Sequence, residues 1–222
     1  MNEEKESYLM KSRSGRACIR EGYRFFTANF RRIFRCTWLV ALCFAVVSAV
    51  AAALPVLVSP ALLLPALAIE VVAVILLLII SYKVLVRKQL FERRPKGGSS
   101  FAWLRHLGME LLVWIFCLIV VLTLFVITTL PMLIVMLANW INQAGIYAHD
   151  PDGMPDYMTW LSIIVFLIAG FIQAYIWMTL LGPLYLMRGS IAQQEKERKE
   201  LKEKIKEESK PKKYEQNLIY RP

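Results

Sequence analysis

Four long apolar blocks constrain this chain more than any other feature. They are Thr37–Pro60, Ala61–Val86, Glu110–Ala138 and Thr159–Met187. A helix needs about 20 mostly apolar residues to cross ~30 Å of hydrocarbon, and each block is long enough. Within hydrocarbon, every backbone N–H and C=O must be satisfied inside the segment, which leaves helices as the economical solution. The blocks therefore predict an all-α, polytopic membrane protein with four transmembrane helices, at about 37–58, 66–86, 110–131 and 160–187. Residues are 57% hydrophobic, above the ~45–50% of a soluble domain, and the excess lies in these blocks.

The charges give the expected orientation. Of 27 Lys and Arg, nine fall in residues 1–36, seven in 83–108 and eleven in 188–222. Four spans place those three segments on one side of the membrane, and the positive-inside rule makes that side cytoplasmic. Both termini are then cytoplasmic. The net charge of +10 reads as topology and gives no reason to expect nucleic acid. The domain plan is a segment 1–36, a four-span membrane domain 37–187 and a charged helix and tail 188–222.

The stretch "CIREGYRFFTANFRRIFRCTW" (18–38) adds detail on that side. Ile19, Tyr23, Phe26, Phe30, Ile33 or Phe34, and Trp38 recur at helical spacing, while Arg20, Arg24, Arg31 and Arg35 occupy another face. This predicts an amphipathic helix over 16–36 lying in the membrane interface, its arginines against anionic lipid headgroups. Aromatics arranged for base stacking would instead need an open groove. The apolar core after Trp38, with Ala49-Val50-Ala51 following, has the look of a signal peptide. Some 36 residues precede it and the apolar run continues beyond it, so no cleavage is expected.

Within the spans, Ala41, Ala45, Ala49 and Ala53 repeat every four residues and form a candidate helix-packing face, because small residues let backbones approach in lipid. Pro55, Pro60 and Pro65 predict a hairpin outside helical geometry. Glu70 is the intramembrane carboxylate, a candidate proton- or cation-coupling group or simply a neutral one hydrogen-bonded to a Thr such as Thr128 or Thr129. Gln173 is candidate interhelical glue. Pro131 is expected to kink the third span or turn it along the surface.

No catalytic or metal constellation is present in the sequence. The four cysteines follow no zinc spacing and predict no disulfide, His106 has no second ligand nearby, and Gly97-Gly98 lack the pattern of a phosphate loop. Trp103 is expected to anchor a short interfacial helix, Phe101–Leu107, at the membrane surface. Asp150, Asp152 and Asp156 surround Gly153, but Pro151 and Pro155 interrupt the register of a calcium loop and no closing Glu follows. "AQQEKERKELKEKIKEESKPKK" predicts a solvated charged helix, then a disordered tail from Ser209, with Leu201 and Ile205 too sparse for heptads.

The stretch "ACIREGYRFFTANFRRIF" resembles the segment before the first span in small bacterial inner-membrane proteins, among them the membrane-domain family of glycerophosphodiester phosphodiesterases. Arg20, Gly22, Tyr23, Phe25, Phe26, Asn29 and Phe30 carry the resemblance. It implies a bacterial inner-membrane location and supplies no active-site residue. The reading is thus a non-enzymatic envelope scaffold or partner-binding subunit, without cofactor. Its expected partners are the anionic bilayer and another membrane protein or a second copy of the chain. The alternative is a small transporter, or a transporter subunit, coupled through Glu70.

Overall fold

The computed structural model describes residues 11–57, 59–91, 106–147, 155 and 157–208. The Gly97-Gly98 linker, the Trp103 anchor, the loop aspartates and the tail from Ser209 lie outside the described residues. Helices make up 92% of what is described, with no strand among those residues. They are α1 (Gly15–Ala28), α2 (Phe30–Leu57), α3 (Leu63–Arg87), α4 (Leu107–Tyr147), α5 (Tyr157–Met178) and α6 (Leu181–Glu208), with one 3₁₀ turn at Pro60–Leu62. Four stretches are long and apolar enough to cross a membrane: Phe30–Pro55, Leu63–Arg87, Leu107–Gly145 and one beginning at Tyr157. The chain is an all-α, four-span protein.

Helices α2 and α5 pack against each other at the centre, α3 lies mainly on α2, and α4 lies mainly on α5. Small residues set the central approach. A Cβ added to Gly170 of α5 would come within 3.2 Å of the Ala45 Cα and 3.3 Å of the Ser48 Cβ of α2. Ala41 and Ala45 are fully buried, while Ala49 and Ala53 are half-buried near Met132, Phe166 and Ala169. The alanine face is thus occupied within the chain.

The amphipathic stretch is two helices where the sequence predicted one over 16–36. Ser14 caps α1 by accepting the Ala17 N–H at 3.4 Å. At its other end, Thr27 donates to the Tyr23 and Arg24 carbonyls and the Asn29 side chain donates to the Phe25 carbonyl at 2.9 Å. Such back-bonding competes with the helical ladder, and the chain turns at Asn29 before α2 begins.

The prolines also act differently from expectation. Pro55 lies inside α2 and Pro65 inside the first turn of α3, where its missing N–H had no helical partner to lose. Only Pro60 belongs to the connection. Pro131 does not end the third span: α4 continues to Tyr147, 41 residues or about 61 Å. The expected fourth span, 160–187, breaks at Thr179 and Leu180 instead. Pro183 has no N–H to donate to the Thr179 carbonyl, so the ladder of α5 stops and α6 starts afresh at Leu181. The charged helix therefore begins seven residues before Arg188.

Helix α3 ends in a Schellman motif. Gln89 adopts a positive φ of 56°, its N–H reaches the Val86 carbonyl at 3.1 Å, and the Leu90 N–H reaches Leu85 at 3.0 Å. This turn swings Phe91 into the core, where it stacks on Tyr185 with centroids 4.3 Å apart and on Phe25 at 5.9 Å. Residues 83–91 thereby meet α1 and the root of α6. Gly15 of α1 in turn faces Met109, Leu112 and Val113 near the start of α4. The described parts of all three basic segments gather at one end of the bundle.

Candidate functional site

At that basic end a network of side chains joins α1 to α4, α5 and α6. The buried face of α1, Cys18, Gly22 and Phe26, rests on the α5–α6 junction and on α4. It was expected against the bilayer surface; protein covers it instead. Gly22 crosses Gly182-Pro183 so closely that a Cβ there would overlap the Pro183 Cα and N. Burial raises the Cys18 thiol above its ordinary value, only partly offset by the nearby Arg13 charge and a Ser190 hydrogen bond. Burial likewise raises the Tyr23 phenol, which faces the Cys117 thiol.

Just before α1, Arg13 is clasped by α6. Its N–H donates to Ser190 Oγ at 2.8 Å, and Ser190 Oγ donates back to the Arg13 carbonyl at 3.0 Å. Gln194 donates to the same carbonyl at 3.3 Å. The guanidinium is buried, at 2% side-chain exposure, and pairs with Glu21 at 2.7 Å. At the next residue, Glu195 meets His106 at 3.3 Å. Arg13, Ser190, Gln194 and Glu195 escaped sequence reasoning, which started the N-terminal helix only at residue 16 and read the charged C-terminal helix as solvated. The Ser14-Gly15 cap was the one local signal that order begins there.

The arginines proposed from the sequence are all on the surface. Arg20 and Arg24 lie on the outer face of α1, and Arg31 and Arg35 on the first turns of α2. Arg16 and Arg32 are exposed beside them. None of these six pairs with a carboxylate among the described residues.

The intramembrane polar groups are divided between two seams. Glu70 of α3 accepts a hydrogen bond from Ser48 of α2 at 3.2 Å, where Thr128 or Thr129 was expected. Thr129 instead receives the Gln173 amide at 3.0 Å, joining α4 to α5. Farther along the same seam, the buried Asn139 donates to Ser162 at 2.8 Å. Each such bond contributes about 0.6–2 kcal/mol to helix association. Glu70 lies on the α2–α3 seam and the other pairs on the α4–α5 seam, so they form no shared polar line. All four cysteines are free. Among the described residues no three His, Cys, Asp or Glu side chains cluster to hold a metal. Comparison with protein-family models, curated proteins and solved structures returns no match.

Proposed function

We propose that this chain is a non-enzymatic scaffold of a bacterial inner membrane, with both termini cytoplasmic, that holds out α6 as a fixed arm for a protein partner. The observation that carries this is the contrast along α6. Its root, Leu181 to Ile191, is mostly buried, with Leu184 and Tyr185 half-buried and Arg188 alone exposed, and it is clasped through Ser190, Gln194 and Glu195. Residues 196–207 are exposed throughout, about 18 Å of helix, with Leu201 and Ile205 one turn apart and uncovered. A solvated tail has no need of a buried, hydrogen-bonded root. A docking arm does, because fixing it beforehand lowers the ordering cost of binding.

A photo-crosslinking residue at position 201 or 205 of the full chain, in native membranes, tests this. The expected result is one discrete adduct, lost when the other apolar position is changed to Glu. Its mass distinguishes a second copy from another protein. Diffuse or absent adducts at both positions contradict the scaffold reading.

A second reading is favoured by Glu70 alone, a carboxylate held by Ser48 within the spans. Here the chain is a carrier or carrier subunit, and Glu70→Gln abolishes proton-coupled uptake in reconstituted vesicles. Under the scaffold reading, the substitution leaves crosslinking through α6 unchanged.

A further inference from the structure

The first turns of α2 gather exposed basic side chains with no acid beside them. A helix N-terminus carries partial positive charge and is ordinarily matched by acidic residues. Here the first turn has no acid, and Arg31, Arg32 and Arg35 are all exposed around it. The nearest described carboxylate in sequence, Glu21, is already paired with Arg13. The three guanidinium groups thus stand together with no carboxylate partner among the described residues.

Directly below them runs a stripe of exposed apolar side chains at four-residue spacing. Phe34, Trp38, Leu42 and Val46 are 39%, 45%, 37% and 47% exposed. From Arg35 to Val46 is about 16 Å along the helix, half the ~30 Å of a bilayer's hydrocarbon. The head of the stripe is stiff: Phe34 stacks on Tyr175 at 5.4 Å and meets Phe171 edge-on at 6.3 Å. Charge and apolar length therefore match one kind of molecule, an anionic amphiphile about one leaflet long.

We propose that the N-terminal end of α2 is a binding site for a phospholipid bearing two phosphates, with the phosphates on Arg31, Arg32 and Arg35 and an acyl chain along Phe34, Trp38, Leu42 and Val46. Two phosphates suit the site better than one. Arg31 and Arg35 stand one turn apart on the same side, with Cβ atoms roughly 5–6 Å apart, and each guanidinium can grip a phosphate through two N–H donors. Arg32 adds a third charge alongside. The site is independent of any partner on α6.

The test uses the delipidated full chain in neutral detergent, titrated with diphosphatidylglycerol, phosphatidylglycerol or phosphatidylcholine and read by native mass spectrometry. Diphosphatidylglycerol is expected to bind at least tenfold more tightly than phosphatidylglycerol, with phosphatidylcholine weakest. Replacing all three arginines by Gln should weaken diphosphatidylglycerol binding roughly a hundredfold. Removing the same charge from the α6 arm, with Arg198→Gln, Lys199→Gln and Lys202→Gln, should leave it unchanged. If the Gln variant does not fold, Arg31→Lys, Arg32→Lys and Arg35→Lys keep the charge but lose the fork, and the preference for two phosphates should fall several-fold. Equal binding of the two anionic lipids overturns the proposal. So does an arm variant as weak as the triple variant, or an unaltered Lys variant. Tighter binding of an RNA oligonucleotide to the same arginines also overturns it.

Discussion

Gly22 shows how one atom sets the geometry of the basic end. Any Cβ there would overlap the Pro183 backbone, neither partner being a flexible side chain that could move aside. Gly22→Ala should therefore destabilise the fold by about 1–3 kcal/mol, the range for overpacking a tight contact. Gly108 is the internal control, since a Cβ added there meets nothing within 4 Å. Gly108→Ala should be neutral or slightly stabilising. Thermal unfolding of both variants in the same detergent separates a specific clash from a general intolerance of alanine. A second residue-scale consequence follows from Cys18, whose thiol burial pushes upward. A raised acid contributes stability below its unfolded value, about 8.5, and that contribution is lost as pH rises beyond it. The melting temperature should fall as pH rises from 8 towards 10. Cys18→Ala should flatten that decline, and an unchanged slope would remove Cys18 from the account.

At the scale of elements, what the sequence made legible depended on whether the cause was local. The four apolar blocks, the alanine repeat and the outward arginines could be read because hydropathy and helical spacing lie along the chain. The Asn29 turn, the Schellman end at Gln89 and the break at Thr179 have local chemistry too, but long apolar runs masked it. Glu70's choice of Ser48 over Thr128 or Thr129, and Arg13's attachment to Ser190, could not be read. Both depend on which helices become neighbours, and four similar apolar helices carry little information about that. The α2–α5 seam offers a test at this scale. Ala45 is fully buried and its backbone lies close against Gly170. Ala45→Leu should separate the helices and cost about 2–3 kcal/mol, whereas Leu39→Ala, at a position 57% exposed, should cost far less. Crosslinking yield between cysteines placed across α2 and α5 would report the separation directly.

For the whole molecule, the structure joins two facts that the sequence held apart. Basic residues from three distant segments meet at one end, and the same end contains the clasp that holds α6. Under the proposed orientation this end is cytoplasmic, so the arginines of α2 and the arm of α6 face the inner leaflet and the cytoplasm together. The most direct test is cysteine accessibility in intact bacterial spheroplasts. Cys36 and Cys43 would first be replaced by serine, while Cys18 and Cys117 stay because they are buried. Single cysteines are then placed at Ser12 and Lys204 at the basic end, and at Ser59 and Thr159 at the opposite end. A membrane-impermeant maleimide should label positions 59 and 159 in intact spheroplasts, and positions 12 and 204 only after lysis. Labelling of 12 or 204 without lysis, or protection of 59 and 159, would contradict the account.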